Sequence, residues 1–356
     1  MNDKDSSSNY KVISLFSGCG GLDYGFKDAG FHIVFSNDNN PKLKETYEKN
    51  LKHKLDLKSI VEISSDDLPE ADGLIGGPPC QSWSLAGAMR GIKDKRGLLF
   101  YEYIRILKDK QPMFFVAENV PGIISKTHLP EFEKIIEKFE EIGYNVSYKL
   151  LNAKDYGVPQ IRKRVIIVGF HKSLKRKFEF PEPTHAKSSN GKKSLRKWVS
   201  LKEAIGALPK ALPAIEKNHA NVELEIPNHE YMNGSFSTIY MSRNRRKDWE
   251  DQSYTIQAGG RHAPLHPDSS KMLKVEKDKR VFEGENPYFR RLSVRECARI
   301  QTFPDDFIFI YDRIDDGYKM IGNAVPVKLA EVVAKKIIKD LQKPPQKIKV
   351  QTKLKI

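Results

Sequence analysis

Residues 11–21 read KVISLFSGCGG, an apolar run followed at once by a glycine-rich stretch. The apolar half, 11–16, predicts a buried strand. Gly18, Gly20 and Gly21 allow the backbone after it to turn sharply and to approach a ligand closely. A glycine turn between a strand and a helix is where many α/β proteins bind nucleotide-like cofactors. A purely structural turn explains these residues equally well, so other segments must decide between the two.

Short apolar runs recur up to residue 170 and are separated by amphipathic segments. Further strands are predicted at 31–36, 73–75, 113–117 and 164–170. Residues 131–142 carry apolar side chains at helical spacing, and Gly143 is a typical residue at a helix end. This alternation predicts the α/β class, with a doubly wound, mostly parallel sheet and helices on both faces.

The composition of the chain changes after residue 170. Residues 171–197 are rich in Lys, Ser and Pro, which is typical of a linker or a long loop. Residues 198–290 have short polar and aromatic runs without a helical period, and we interpret them as a second, smaller and irregular domain. Regular structure returns at 293–296, a capping-box pattern, and a last helix is predicted from Pro326 to about residue 341.

The charge balance indicates a polyanionic partner. Lys and Arg number 61 against 46 Asp and Glu, which gives a formal net charge of +15. A basic soluble protein with a solvated lysine surface is the alternative. Cys19, Cys80 and Cys297 have neither disulfide nor metal-site spacing, so we expect a reducing cytoplasm and no metal. The polar N-terminus is unlike a signal peptide, and no apolar run approaches the roughly 20 residues of a membrane span.

Residues 77–81, Gly-Pro-Pro-Cys-Gln, place a cysteine directly after two prolines. Because proline fixes φ, this stiff turn can present the Cys80 thiol, whose thiolate is a nucleophile. A buried structural cysteine is the alternative. Glu118 follows the strand at 113–117 and is expected to face the same crevice, since ligands bind beyond the carboxyl ends of strands in open α/β sheets. It could act there as an acid toward a ring nitrogen, although such a glutamate is more commonly a salt-bridge or cap residue.

A pair of arginines and a pair of aspartates also lie close to the ends of predicted strands. Arg162 and Arg164 lie on one face at the start of the strand at 164–170, and their planar forks suit a phosphate or a base oxygen. A basic strand edge is the alternative. Asp38 follows the second strand, where an acid commonly binds ribose hydroxyls. Asp23 replaces the third glycine of the dinucleotide pattern, which disfavours NAD and fits S-adenosylmethionine (SAM), a cofactor without a pyrophosphate.

Taken in order, these segments resemble those of the bacterial DNA (cytosine-5)-methyltransferases of restriction-modification systems. The matching blocks are 16–21, 77–81, 118–120, 160–164, 291–301 and 322–326. The resemblance implies a Rossmann-like, SAM-dependent catalytic domain that is discontinuous in sequence. It would comprise 1–175 plus 310–345, interrupted by a target-recognition domain and hinge at 176–309 and followed by a basic tail at 346–356.

The resemblance also implies the reaction. The Cys80 thiolate attacks C6 of a flipped cytosine, Glu118 protonates or hydrogen bonds N3, and C5 accepts a methyl group from SAM. Arg162 and Arg164 resemble the pair that orients the base. Flipping is needed because the duplex stack encloses C5 and C6, and it costs a few kcal/mol.

The SAM site implied by the resemblance combines segments from both ends of the chain. Its expected members are Phe16, Gly18, Gly20, Gly21, Asp38, Ser59, Ile60, Pro78, Asn323, Ala324 and Val325. The sequence departs from the family pattern at two points. Asp38 stands where the family usually has Glu, and the usual Asp-Ile pair after the third strand is not clearly present. Spacing assigns Ser59-Ile60 to that pair, whereas Asp56-Leu57 resembles it three residues earlier.

Duplex DNA is the expected substrate, contacted by a mobile loop at 82–97 and by the recognition region. The expected DNA contacts are Ser82, Arg90, Arg96, Ser242, Arg243, Arg245, Gln257 and Arg261. Arginine reads guanine and glutamine reads adenine in the major groove. The recognition region resembles that of GGCC-specific methylases, which also have Trp at the position of Trp83, so GGCC is the favoured target.

Other functions stay open at this point. A tRNA cytosine-5 methyltransferase would share the catalytic blocks, although the long stretch between Arg162 and Arg295 favours duplex DNA. A non-catalytic DNA-binding protein would leave Cys80, Glu118 and Arg164 unexplained, and the incomplete glycine pattern disfavours an NAD oxidoreductase. We expect a cytoplasmic, nucleoid-associated monomer. A restriction endonuclease acting on the same site is a possible partner without a stable complex, and no membrane partner is expected.

Overall fold

A six-stranded sheet forms the centre of the structure, a computed structural model that describes residues 9–79, 97–188, 195–221 and 223–344. The strands in chain order are β1 Lys11–Leu15, β2 His32–Asn37, β3 Gly73–Gly76, β4 Phe114–Asn119, β5 Tyr144–Asn152 and β6 Lys163–His171. Their spatial order is β2-β1-β3-β4-β6-β5. The pairs among β1 to β4 are parallel, whereas β6 runs antiparallel to both β4 and β5.

The predicted strands of the sheet are confirmed within about two residues, and one strand was missed. The missed strand, β5, has the alternating apolar residues Tyr144, Val146, Tyr148 and Leu150. This alternation was a usable signal, but the strand lies at an edge of the sheet, where Tyr148 and Leu150 are exposed. It therefore lacks the continuous apolar run of a central strand.

Nine helices are assigned among the described residues, together with several short 3-10 turns. The helices are α1 Gly21–Asp28, α2 Lys44–Leu51, α3 Gly97–Lys110, α4 Leu129–Glu141, α5 Leu201–Ile205, α6 Thr238–Met241, α7 Val294–Ile300, α8 Ile314–Asn323 and α9 Val327–Leu341. The predicted capping box precedes α7, where the Ser293 hydroxyl accepts from the Glu296 amide at 3.0 Å and Glu296 accepts from the Ser293 amide at 2.7 Å. Gly143 follows α4 at φ +108°.

The two faces of the sheet are covered by different helices. Val12 packs with residues of α1 and α9, whereas its neighbour Ile13 packs with residues of α3 and α4 on the opposite face. Successive strand residues point to opposite faces, so this alternation agrees with the predicted doubly wound sheet. Among the described residues, no helix is both long and apolar enough to cross a membrane.

The described residues after β6 form short strand pairs instead of a large sheet. They are β7 His185–Ala186 with β8 Arg196–Lys197, β9 Leu212–Pro213 with β10 Glu230–Tyr231, and the hairpin β11 Met272–Glu276 with β12 Lys279–Phe282. The predicted linker at 171–197 is packed in its first part. Phe178 is 3% exposed and contacts Phe170 of β6 edge to face, so this segment covers the sheet.

Helix α9 packs tightly against α1, which joins the end of the described chain to its beginning. Gly25 makes this close approach possible. A Cβ atom at Gly25 would lie 2.5 Å from the Val327 carbonyl oxygen and 2.8 Å from the Glu331 amide nitrogen. Both are backbone atoms, which cannot move away as the end of a flexible side chain could.

We predict that Gly25→Ala lowers the free energy of unfolding by about 1–3 kcal/mol, because the helices must move apart. Denaturant titration measures the change. Gly122→Ala is the matched control, since a Cβ there would meet nothing within 4 Å. Equal losses in the two variants would contradict the close packing of α1 on α9.

Candidate active site

A cavity of about 520 Å³ opens at the carboxyl ends of β1 to β4. Its wall combines the glycine loop, the segment after β2, the end of β4 and the turn between α8 and α9. The predicted site residues that line it are Phe16, Gly18, Gly21, Asp38, Ile60, Pro78, Glu118, Asn323, Ala324 and Val325. The structure therefore brings together residues from both ends of the chain, in a volume typical of small-molecule sites.

The glycine loop has the left-handed backbone that its sequence suggests. Phe16, Gly18 and Gly20 have φ of +55°, +59° and +93°, and of these only Phe16 carries a side chain in this strained region. Gly20 does not line the cavity; it packs below the loop, where a Cβ would lie 2.7 Å from a methyl carbon of Leu51. The Asp38 carboxylate accepts hydrogen bonds from the amides of Gly18 and Asn40, both at 3.0 Å.

Two carboxyl groups at this loop, those of Asp38 and Asp23, are shielded from water. Burial raises the pKa of Asp38, against the effect of its two amide donors. Asp23, which replaces the third glycine, is fully buried below the loop, where it accepts from the Ser14 hydroxyl at 2.6 Å and from the Tyr47 hydroxyl. Burial raises the pKa of Asp23 to about 6. Asp23 thus binds hydroxyl groups inside the protein, whereas Asp38 faces the cavity.

Two pairs of residues were candidates for the Asp-Ile position, Ser59-Ile60 and Asp56-Leu57, and only Ile60 among them lines the cavity. Ile60 lines the cavity and is 3% exposed. Ser59 does not line it, because Ser59 forms a capping box with Glu62. Asp56 accepts from the Lys58 amide at 2.7 Å and does not line the cavity either. Of the two residues that spacing assigned to this pair, Ile60 therefore lies at the cavity and Ser59 does not, and their contact with SAM stays a prediction.

Glu118 and Arg164 form an ion pair at the edge of the cavity. The Arg164 Nε atom lies 2.7 Å from Glu118 Oε1, and both side chains are about nine-tenths buried. The pair is not aligned as a hydrogen bond, and Oε1 has no hydrogen-bond partner among the described residues. Burial raises the pKa of Glu118, although the charges of Arg164 and Arg162 oppose this shift. Burial thus makes the Glu118 carboxyl a weaker acid than a solvated glutamate.

Arg162 lies in the interior of the protein and does not line the cavity. Its side chain is fully buried, with Nη1 donating to the Ile256 carbonyl at 3.0 Å and Nη2 donating to the carbonyls of Gly322 and Ala324 at 2.8 and 2.9 Å. Burial and the charge of Arg164 lower the pKa of Arg162 to about 9. Three carbonyls thus occupy its guanidinium, which gives Arg162 a structural role. That Arg162 also orients the reacting base stays a prediction.

Two glutamines extend this buried network. Gln160 donates to Gln301 at 2.9 Å and accepts from the Ile256 amide at 3.0 Å. Gln301 donates to the Ile321 carbonyl at 2.8 Å. We call Gln160, Arg162 and Gln301 the polar knot. It ties the start of β6, the segment at Ile256, the end of α7 and the turn after α8 to one another.

The sequence analysis missed charged residues of α8, and Lys42 opposite them, that lie at the cavity. Lys42 pairs with Asp316 at 2.7 Å, and Lys319 pairs with Asp315 at 2.8 Å. Lys42, Asp316 and Lys319 line the cavity. The spacing of the acidic and basic residues on one helix face was the available signal, but it needed α8 to be recognised first.

The role of Asn119 was also missed. Asn119 donates to the Pro78 carbonyl at 2.9 Å and holds the segment before Cys80 against β4.

The predicted DNA contacts after residue 240 are distributed over two exposed segments. Arg243, Gln257 and Arg261 are exposed, and Arg243 and Arg261 make no hydrogen bond to a described residue through their side chains. Ser242 donates to the Ile239 carbonyl at 2.8 Å, and the Arg245 guanidinium lies 5.1 Å from the Tyr240 ring centroid. The remaining predicted site residues lie outside the described residues: Cys80, Ser82, Arg90 and Arg96.

Comparison with known proteins identifies the family. The model of the C-5 cytosine-specific DNA methylases matches residues 10–339. The chain belongs to this family. The methyltransferase is 59% identical over 336 residues to the Type II methyltransferase M.MthTI of Methanothermobacter thermautotrophicus, covering 94% of this chain and 98% of that protein. It is 55% identical over 331 residues to the Type II methyltransferase M.FnuDI of Fusobacterium nucleatum, covering 92% of this chain and 94% of the other.

Solved structures share the fold at low sequence identity. The Dnmt2 methyltransferase of S. pombe superimposes with a TM-score of 0.64 at 17% identity, covering 94% of this chain and 100% of that chain. A methyltransferase of Entamoeba histolytica, EhMeth, gives a TM-score of 0.66 at 17% identity with the same coverage. The predicted fold class, a mixed α/β methyltransferase fold with a central sheet, is therefore confirmed.

We predict that Arg164→Met raises the pKa of Glu118 further, because it removes the nearest positive charge from a buried carboxyl. A folded pKa above the ordinary value of 4.5 means that the unfolded chain loses this proton first as pH rises. The free energy of unfolding should then fall with increasing pH above about 4.5, and more steeply in Arg164→Met than in the wild type.

Denaturant titrations at a series of pH values measure these slopes. The variant Glu118→Gln/Arg164→Met is the control, because it has no carboxyl at position 118 and should lose the added slope. Identical slopes for the wild type and Arg164→Met would show that the ion pair does not set the protonation of Glu118.

Proposed function

We propose that the methyltransferase transfers a methyl group from SAM to C5 of a flipped cytosine in duplex DNA, within the site GGCC, through a covalent bond between Cys80 and C6. The observation that carries the proposal is the Glu118 carboxyl. It is buried, its pKa is raised, and its Oε1 lacks an aligned hydrogen bond among the described residues while lying at the cavity wall. Such a group is prepared to donate a proton to a ring nitrogen.

The cavity fits SAM in its composition as well as in its volume. The Asp38 carboxylate offers acceptors for ribose hydroxyls, and Phe16 and Ile60 offer apolar surface for the adenine. Gly21 admits no side chain, because a Cβ there would lie 2.5 Å from the Val325 carbonyl oxygen. Bound SAM would supply an electrophilic methyl group.

The residues of the chain would then act on the cytosine in turn. The Cys80 thiolate adds to C6, which places electron density on C5 and N3. Glu118 donates its proton to N3 as that density develops, with Arg164 holding the carboxyl in place. After methyl transfer to C5, water or hydroxide removes the C5 proton. The bond between Cys80 and C6 then breaks to release the thiolate, and N3 returns its proton to Glu118.

The GGCC target and the biological setting are supported by the recognition region and the relatives. Arg243 and Arg261 are exposed and have side chains without hydrogen bonds to described residues, so both are able to reach guanine edges. The Type II methyltransferases to which the chain is similar suggest that it protects DNA in a restriction-modification system. An endonuclease with the same target would then be a functional partner, and a cytoplasmic monomer would suffice for the reaction.

Incubation with SAM and unmethylated phage DNA, followed by bisulfite sequencing, tests the function. We expect 5-methylcytosine only within GGCC, no methylation by Cys80→Ser, and a fall of about 100- to 10,000-fold in rate for Glu118→Gln. Methylation at another single motif would contradict the target. Methylation of tRNA but not of duplex DNA would contradict the substrate.

The SAM site is tested separately by binding. We expect Ile60→Ala to weaken SAM binding about tenfold, because it removes an apolar contact of about 1.4 kcal/mol. Ser59→Ala is the matched control and should change the dissociation constant by less than about twofold, because Ser59 contacts Glu62 instead of the cavity. Isothermal titration calorimetry with SAM, and with NAD as a negative control, distinguishes these outcomes. Equal effects of the two variants would contradict the assignment of Ile60.

A further inference from the structure

We propose that four lysines at the β5–β6 side of the cleft, Lys154, Lys163, Lys187 and Lys247, bind the phosphate backbone of the DNA beside the flipped cytosine. We call these residues the lysine cluster. The inference rests on the proposed function and deepens it, because it assigns a phosphate-binding surface separate from the proposed base-reading residues.

The position of the lysine cluster follows from the order of the strands. The cavity occupies the carboxyl ends of β1 to β4. Strand β5 ends, and β6 begins, at the same edge of the sheet on the far side of β4, where Asn152 pairs with Lys163 and Asn119 pairs with Val165. Lys154 follows the end of β5 and Lys163 is the first residue of β6. A nucleotide that reaches Glu118 would thus have the cavity on one side and these lysines on the other.

The charges in the lysine cluster repel one another. Partial burial, together with the charges of Lys163, Lys187 and Lys247, lowers the pKa of Lys154. Two carboxylates beside the group offset its charge only in part. Asp155, which also accepts from the Trp198 indole at 3.0 Å, raises the pKa of Lys154, and Asp251 lies 3.7 Å from Lys247. A concentration of like charge is relieved by an anion, and the polyanion of the proposed reaction is DNA.

Aromatic rings hold two of these lysines in fixed positions. The Lys154 ammonium lies 3.2 Å from the centroid of the Trp198 ring, and the Lys247 ammonium lies 5.0 Å from that of Tyr254. The chain beside Tyr254 is tied to the start of β6, because Ser253 accepts from the Ile161 amide at 2.9 Å and donates its own amide to Pro159 at 3.0 Å. Ordered cations lose less conformational entropy when they bind phosphates.

The test replaces all four members of the lysine cluster with glutamine and measures DNA affinity as a function of salt. Neutralising about eight phosphates gives the wild type a log–log slope near −7, and each lost phosphate contact reduces the magnitude by about 0.9. We therefore expect the slope of the cluster variant to be smaller by about 3.5. The KM for DNA should rise by a larger factor than kcat falls, since none of the four lysines touches the reacting atoms.

A matched control removes the same charge elsewhere. Lys49, Lys134, Lys335 and Lys339 are exposed on α2, α4 and α9, and their replacement by glutamine should change the slope by less than about 1. Equal slopes for the cluster variant and the wild type would overturn the proposal, as would equal losses in the cluster and control variants. Failure of the wild type to methylate DNA would instead overturn the proposed function, so the two failures are distinguishable.

Discussion

A buried guanidinium connects the parts of the chain that form the active site. Arg162 donates to carbonyls that lie 94, 160 and 162 residues away in sequence. A buried charge is costly unless its hydrogen bonds are made, so the segment at Ile256 and the turn at 322–324 must be in place before Arg162 can be buried. Gln160 and Gln301 of the polar knot reinforce the same junction. The wall of the cavity around Ala324 therefore depends on a residue that does not line it.

The polar knot also determines where Arg164 can act. Arg162 and Arg164 flank Lys163 at the start of β6. The side chain of Arg162 is fully buried, that of Arg164 is about nine-tenths buried, and that of Lys163 is exposed. Fixing Arg162 fixes the strand, which places Arg164 against Glu118 and Lys163 at the outer edge. One short segment thus contributes to the framework, to the acid of the proposed reaction and to the surface proposed for phosphates.

Much of the fold was predictable because it depends on local patterns. Central strands are continuous apolar runs, and the helix α7 begins at a capping box that can be recognised in four residues. The buried hydrogen bonds of Arg162 were not predictable, because its partners are backbone carbonyls of distant segments. Any residue type can supply a backbone carbonyl, so no sequence pattern marks these partners. Ser59 and Ile60 show the same limit on a smaller scale, since the capping box that withdraws Ser59 from the cavity is a matter of local geometry. The four members of the lysine cluster are scattered in sequence, and only the fold brings them together.

Hydrogen–deuterium exchange of Arg162→Gln tests the central claim most directly, because it reports on each connected segment separately. If the guanidinium holds these segments together, the amides near Ile256 and those from Ala324 to Val327 exchange faster in the variant, whereas the amides of β1 and β3 keep their protection. Unchanged exchange near Ile256 and Ala324 would contradict the claim. A uniform loss of protection over the whole sheet would also contradict it, since that would assign Arg162 to general stability instead of to this junction.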